Sequence, residues 1–240
     1  MSNKKNTIKL VSLNLWRFHD WEKRFPEIIR VIKEIDPDVI FTQETQRDIS
    51  IDSRNQIEIL NAELAYPYTA YEIADIKLTR KGVPLKNPVD HGLGVLSKLP
   101  FLSEAIELTK AADDKEKRIV LACKIMIGEN PLFIANVHFS NSDRWAENHF
   151  KETLSLLKEK GIASVLAGDF NIFNIAQYKD AYGKDYAASS DQFEYISYPE
   201  DNASLDYILL PRNCSFKSFE CRQEYLSDHR MLSAEIEFES

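Results

Sequence analysis

"SVLAGDFNIF", residues 164–173, ends an apolar run on a carboxylate and an amide. Val165, Leu166 and Ala167 form the short apolar run of a buried strand, which gives way to Gly168, Asp169, Phe170 and Asn171. Side chains alternate along a strand, so an extended backbone through Asn171 puts the Asp169 carboxylate and the Asn171 amide on one side of the tip. A buried carboxylate is costly without a partner, and a core strand that ends on one is expected to end at a site. Upstream, "WAENHFKETLSLLKEKG" (145–161) reads as a helix with lysines in its last turn and Gly161 as its C-cap. Before it, "PLFIANVHF" (131–139) reads as a strand that brings His138 to its own tip.

The same strand–helix–strand order occurs earlier in the chain. "TIKLVSLNLW" (7–16) alternates as a strand and carries Asn14. "WEKRFPEIIRVIKEI" (21–35) places Phe25, Ile28, Ile29, Ile32 and Ile35 on one helical face, tolerates Pro26 in its first turn and stops at "DPD" (36–38). "VIFTQE" (39–44) ends on Glu44. Asn14 and His138 are 138 − 14 = 124 residues apart, and Glu44 and Asp169 are 169 − 44 = 125 apart, which makes Glu44 the expected counterpart of Asp169. Two matching units predict one α/β domain over residues 1–240: two packed sheets, helices outside, and a cleft at the strand tips where loops converge.

The remaining segments fit this frame. A second helix is expected within 45–65, around "NQIEILNAEL". "GLGVLSKLP" (92–100) and "FLSEAIEL" (101–108) read as strands, and "IVLACKIMI" (119–127) forms a hairpin with 131–139 around "GENP". "KAADDKEKR" (110–118) reads as a solvated, charged connection. "LDYILLP", "SFKSFECR" and "MLSAEIEFE" complete the strands.

Composition narrows the function classes. There are 30 basic and 38 acidic residues, a net charge of −8, which argues against non-specific gripping of long duplex DNA while leaving room for a local basic cleft. "MSNKKNTIKL" has no apolar stretch behind its lysines, and no run reaches the length of a membrane span. Cys123, Cys214 and Cys221 lack zinc-like spacing, so reduced thiols in a cytoplasmic protein are expected. The sequence is silent on oligomeric state.

Two further polar interruptions carry chemistry. Asp206 breaks the apolar run of "ASLDYILLP", and "SDH" (227–229) precedes the last strand. A histidine is the economical partner for a buried Asp, because the carboxylate fixes the tautomer and raises the basicity of the ring. Taken singly, each of these residues has a plain structural reading: Glu44 as a surface carboxylate, Asp169 and Asn171 as a turn, Asp206 as a cap, His138 and His229 as satisfied structural histidines. Their joint occurrence favours chemistry.

Five motifs in order, "LNLW" with Asn14, "TQE" with Glu44, "NVHFS" with His138, "GDFN" with Asp169 and Asn171, and "SLDYI" followed by "SDH", resemble the endonuclease/exonuclease/phosphatase (DNase I-like) superfamily over residues 14–229. The resemblance implies a four-layer α/β sandwich, two mixed β-sheets flanked by helices. It also implies a divalent-metal phosphoester hydrolase of phosphodiesterase or nuclease type. By the resemblance, Glu44 is the main Mg²⁺ ligand with Asn14 beside it, Mn²⁺ being an alternative ion, and Asp228 binds metal or orients its neighbours. Asp169 orients or deprotonates the attacking water, and Asn171 hydrogen-bonds phosphoryl oxygens. His229, oriented by Asp206, serves as base or electrostatic stabiliser, and His138 donates to a non-bridging oxygen or assists the leaving group. The expected partner is a phosphoester: nucleic acid, a nucleotide, or a lipid or sugar phosphate. A non-catalytic binding module that keeps the fold is the rival from another class.

Arg17, in "LWRFHDW" (15–21), and Arg118 are candidate substrate-phosphate contacts, as is Arg144, and Trp16, Phe18 and Trp21 are candidates for the cleft rim or for stapling the following helix. His149 reads as structural. One departure from the family pattern concerns substrate binding. Many relatives carry a glutamate immediately before the glycine of "GLGVLSK", supporting the histidine equivalent to His138. Here "VDHGLG" puts His91 there, so either Asp90 substitutes or His91 faces the cleft. Abasic-site endonucleases of the family usually have asparagine at the His138 position, which moves the expectation away from abasic-site repair.

Overall fold

The protein is described from a computed structural model that covers residues 5–239 except Lys81, 111–113, Lys115 and Glu129. Much of the "KAADDKEKR" connection therefore lies outside the described residues.

The first unit is built as the periodicity requires. Strand β1 (Lys5–Asn14) leads through helix α1 (Trp21–Ile35) to β2 (Val39–Arg47), and α1 buries Ile28, Ile29, Val31, Ile32 and Ile35. Arg24 is buried on the same helix. Its guanidinium donates to the carbonyls of Leu15, Arg17, His19 and Leu226 and lies over the rings of Trp16 and Trp21, so a full charge is held by hydrogen bonds rather than by water. The second unit is β7 (Asn130–His138), α3 (Asp143–Glu159) and β8 (Ser164–Asp169). In each unit the two strands pair in parallel.

The other elements are α2 (Gln56–Leu64), β3 (Tyr68–Arg80), β4 (Val83–Ser97), β5 (Phe101–Glu107), β6 (Ile119–Ile127), α4 (Lys179–Tyr182), β9 (Tyr186–Ala188), β10 (Asp206–Pro211), β11 (Cys214–Cys221) and β12 (Leu232–Glu239). They form two six-stranded mixed sheets, ordered β11-β12-β1-β2-β4-β3 and β5-β6-β7-β8-β10-β9. The inner run β12-β1-β2-β4 of one sheet matches β6-β7-β8-β10 of the other. The inward faces bury Ile8, Leu10, Phe41 and Val95 against Ile134, Val165, Ala167 and Ile208, and helices cover the outer faces. This is the expected four-layer sandwich.

A buried polar contact crosses the apolar middle. Gln43 Nε2 donates to Asn136 Oδ1 at 2.7 Å, and Asn136 Nδ2 donates to the carbonyls of Thr42 and Gly94, each at 3.0 Å. Strands β2 and β7, from different sheets, are thereby fixed to one another just below their tips.

The helix expected within 45–65 is α2; β2 runs on to Arg47, and an Asn55–Glu58 capping box starts the helix at Gln56. Two other expectations change. The strand expected from residue 92 begins at Val83. It pairs with β3, which has no counterpart in the sequence reading; Ile73, Ile76 and Leu78 of β3 are exposed. Second, β8 ends at Asp169, and Asn171 turns into the left-handed region at φ 51°, so the two polar side chains do not share a side by strand alternation.

Candidate active site

The β7–β8 register sets His138 opposite Asp169, and the β8–β10 register sets Asp206 opposite Asp169. Gly168 makes this possible. Its φ is 146°, and a Cβ there would sit 2.0 Å from the carbonyl oxygen of Val137. Asp169 itself is buried: Oδ2 accepts from Asn14 Nδ2 at 3.0 Å and Oδ1 accepts from the Asn171 amide at 2.9 Å. Asn171 Nδ2 in turn donates to the Phe139 carbonyl at 3.0 Å. The two residues of the "GDFN" tip thus meet through a turn.

In the other sheet the in-register partner of Asn14 is Gln43, not Glu44. The strand-tip equivalent of Asp169 is therefore Gln43, which the core consumes, and the reactive carboxylate comes one residue later. A break in the β2–β4 register between Thr42 and Thr45 and a left-handed Glu44 (φ 49°) place that carboxylate on the cleft lining. Non-glycine residues held at positive φ concentrate where a fold over-determines them for function. Glu44, Asn171 and Arg17 all have this conformation in the cleft lining.

His229 stands between the two facing aspartates. Its Nδ1 lies 2.8 Å from Asp206 Oδ2 and its Nε2 lies 3.8 Å from Asp169 Oδ2. Burial opposes its charge, but Asp206 and Asp169 outweigh that and push its pKa up to about 10. Burial raises the Asp169 pKa, and Asp206 adds to the rise while His229 opposes it. The two carboxylates therefore favour the charged form of the His229 ring.

His138 behaves in the opposite way. Its Nε2 is 3.5 Å from Asp169 Oδ2, but Arg118 Nη1 lies 3.0 Å from its Nδ1. Burial and the Arg118 charge hold His138 well below the ordinary histidine range. A guanidinium can only donate, so the neutral ring offers it a lone pair.

His138, Asp169 and His229 line a cleft of about 300 Å³ together with Arg17, Glu44, Glu116, Arg118, Asn171 and Asp228, and Asp206 and Asn14 are not in its lining. Sequence reading takes 110–118 as a solvated turn and so misses Glu116. Its half-buried carboxylate meets Lys77 Nζ at 2.5 Å, Arg118 Nη2 at 3.4 Å, Arg17 Nη2 at 3.5 Å and His91 Nε2 at 3.6 Å. Burial works against the charge, but His91, Lys77 and Arg118 hold the Glu116 pKa down at about 2. The available signal is a short "EKR" beside a strand start; its partner Lys77 sits on the unexpected β3. Arg17 Nε is 3.2 Å from Glu44 Oε2 but without hydrogen-bond geometry, and Arg118 Nε is likewise a buried donor with no acceptor. Buried donors without partners call for an explanation, and both belong to residues that line the cleft.

The "VDHGLG" alternatives resolve against Asp90, which is taken by Arg47 at 2.6 Å and by the Tyr71 hydroxyl at 2.6 Å. His91 is buried behind Glu116 and Arg118 and is not among the lining residues of the cleft. Burial pulls its pKa down to about 4. Arg144 lies over the ring of Trp145 and is likewise absent from the cleft lining. Trp16 stacks on His19 and Trp21 packs on Phe25, so both serve the helix entrance rather than the cleft. His149 is structural: Nδ1 accepts from the Ser140 amide at 3.3 Å and Nε2 is 3.0 Å from the Thr109 carbonyl.

Comparison with known proteins adds the family. The model of the endonuclease/exonuclease/phosphatase family matches residues 11–229. The chain belongs to that family. It is a family of phosphoester hydrolases, and the residues quoted from the five motifs lie within the matched span. The fold is similar to that of an endonuclease/exonuclease/phosphatase from Beutenbergia cavernae (17% identity, 98% of this chain and 72% of that one, TM-score 0.79). It is also similar to sphingomyelinase C from Streptomyces griseocarneus (20% identity, 96% and 99% covered, TM-score 0.68). A third similar structure is D. rerio TDP2 complexed with a single-strand DNA product (15% identity, 96% and 99% covered, TM-score 0.71). No curated protein sequence matches the chain. Among the described residues, no helix is long and apolar enough to cross a membrane.

The donor set suits a hard cation at one place better than another. Among the described residues Asp169, Asp206 and His229 bring ligand atoms within 4.8 Å of one another. Their atoms are already engaged, His229 with Asp206 and Asp169 with Asn14. Glu44 offers a carboxylate to the cleft whose charged partner is Arg17, Asp228 adds a second carboxylate from the loop before β12, and Asn14 Oδ1, at the end of β1, accepts from the Trp16 amide. Oxygen donors of this kind suit Mg²⁺ or Mn²⁺.

Proposed function

We propose that this family member is a divalent-metal-dependent phosphodiesterase that attacks phosphorus directly with water. The observation that carries the reading is the His229–Asp206–Asp169 triad, joined through Asn14 to the β1 tip of the other sheet. Glu44, with Asn14 and Asp228, would hold the ion, which supplies positive charge against the phosphate.

The chain's own groups divide the remaining work. Asp169, fixed by two hydrogen bonds, orients the attacking water and accepts its proton. Asn171, uncharged, approaches an anionic phosphoryl oxygen without repulsion. His229, held as imidazolium by Asp206, donates to the charge that grows on the phosphoryl oxygens in the transition state. Neutral His138, steadied by Arg118, positions the water–Asp169 pair from the other side. Arg17 and Arg118, both in the cleft lining, supply guanidinium charge for the non-reacting oxygens.

The acidic lining, with Asp143, Asp201 and Asp228 alongside the arginines, supports a short phosphodiester over a long duplex. The test is turnover of bis(p-nitrophenyl) phosphate and of oligonucleotides with Mg²⁺ and Mn²⁺ by wild type, Glu44→Ala, Asp169→Ala and His229→Ala. Full activity in all three variants would overturn the reading.

A further inference from the structure

A second cavity adjoins the catalytic cleft, and the wall between them is Arg17. It encloses about 370 Å³, and its lining includes Phe18, Ile51, Leu85 and Val89. With the cleft it gives two chambers, each within the range of about 300–1,000 Å³ usual for small-ligand sites. Arg17 belongs to both linings. Its backbone, like that of Trp16 before it, is left-handed (φ 52° and 50°), so the fold accepts strain to station this side chain between the chambers. A planar guanidinium offers one edge to a phosphate and its face to a ring.

We infer that the second cavity is a specificity pocket for a neutral aromatic or heteroaromatic group carried by the phosphoester, stacked on Phe18 and the face of Arg17. This rests on the hydrolase reading for its phosphate end. The wall composition selects the occupant. Asp20 and Asp48 also line the cavity, which disfavours a second phosphate there. The one ammonium in the lining, Lys77, is already neutralised by Glu116 at 2.5 Å. A flat ring uses an aromatic and a cationic face together, whereas an alkyl chain uses only the aliphatic walls. Ile51, 58% exposed although apolar, lies where an occupant would cover it. Binding energy from such a remote group is available to orient the phosphate for attack.

The experiment measures calorimetric affinities of phenyl-, hexyl- and methylphosphonate, whose carbon–phosphorus bonds resist hydrolysis, for the Mg²⁺-loaded protein. Phenylphosphonate is expected to bind at least about tenfold tighter than either of the others. Ile51→Trp and Leu85→Trp, which fill the cavity, are expected to erase that ratio, and Ile49→Trp, outside the lining, to keep it. Equal affinities, an equal hexyl ligand, or an undiminished ratio in both filled variants would each overturn the pocket. Because the readout is binding, a selective pocket in a protein without turnover would remove the hydrolase reading and leave this one standing.

Discussion

Asp206 and Asp169 face one another across β8 and β10, and His229 bridges them, 2.8 Å from the first and 3.8 Å from the second. Two carboxylates in register would repel in an apolar interior, and the shared imidazolium converts repulsion into attraction. Asp206→Asn keeps the shape and removes half of that attraction. We expect kcat/KM to fall by about 10²–10⁴-fold. The alkaline limb of its pH profile should move down from near 10 towards the ordinary histidine value of 6.5. A profile whose limb stays in place would show that Asp206 does not set the charge of His229.

The same pair makes metal-free stability depend on pH with a defined sign. The folded pKa of His229 lies above its unfolded value, so its contribution is complete below about pH 6.5 and is lost as pH rises through about 10. Glu116 is the opposite case: its contribution is present above about pH 4.5 and is lost as pH falls towards about 2. Thermal unfolding in chelator should show Tm falling on both flanks. His229→Gln should flatten the alkaline flank and Glu116→Gln the acid one.

Glu44 holds a backbone conformation that glycine adopts at little steric cost. Glu44→Gly should therefore abolish metal-dependent turnover and yet raise the metal-free Tm by roughly 2–4 °C, the equivalent of about 1 kcal/mol in a chain of this size. Glu44→Gln should abolish turnover without that gain. Calorimetry on both variants separates strain from ligand chemistry.

Gly168→Ala places a methyl group 2.0 Å from the Val137 carbonyl oxygen while demanding φ 146° of an alanine. Such a substitution should cost more than about 2 kcal/mol and reduce activity in whatever fraction folds, because β7 and β8 must separate. Urea unfolding measures the first effect. Wild-type stability and activity in the Gly168→Ala variant would contradict the close β7–β8 approach.

The parts of this molecule that could be read from sequence are those whose signal is local. Helix α1 runs from Trp21 to Ile35 as its apolar spacing demands, and the polar tips Asn14, His138 and Asp169 announce themselves by interrupting apolar strands. Strand β3 was not legible because Ile73, Ile76 and Leu78 stay exposed and Pro84 and Pro88 interrupt its partner. Glu116 was not legible because a charged run normally faces water. Only the tertiary placement of Lys77, Arg17 and His91 shows that this one carboxylate is enclosed. Glu44 is marked by its motif, but its register, one residue past Gln43, depends on a strand irregularity that no spacing reveals.

The Gln43–Asn136 contact gives the sandwich a dowel. Sliding one sheet over the other by a single residue would strand several buried amide groups, at about 1–3 kcal/mol each, whereas an apolar interface alone would tolerate the slip. The gap between Glu44 and Asp169 is therefore gauged from inside the core, immediately beneath the two tips, and not by the helices that cover the outer faces. Sequence drift in those outer layers can proceed without changing the spacing on which catalysis depends, while the interior amide pair acts as the protein's own standard of length.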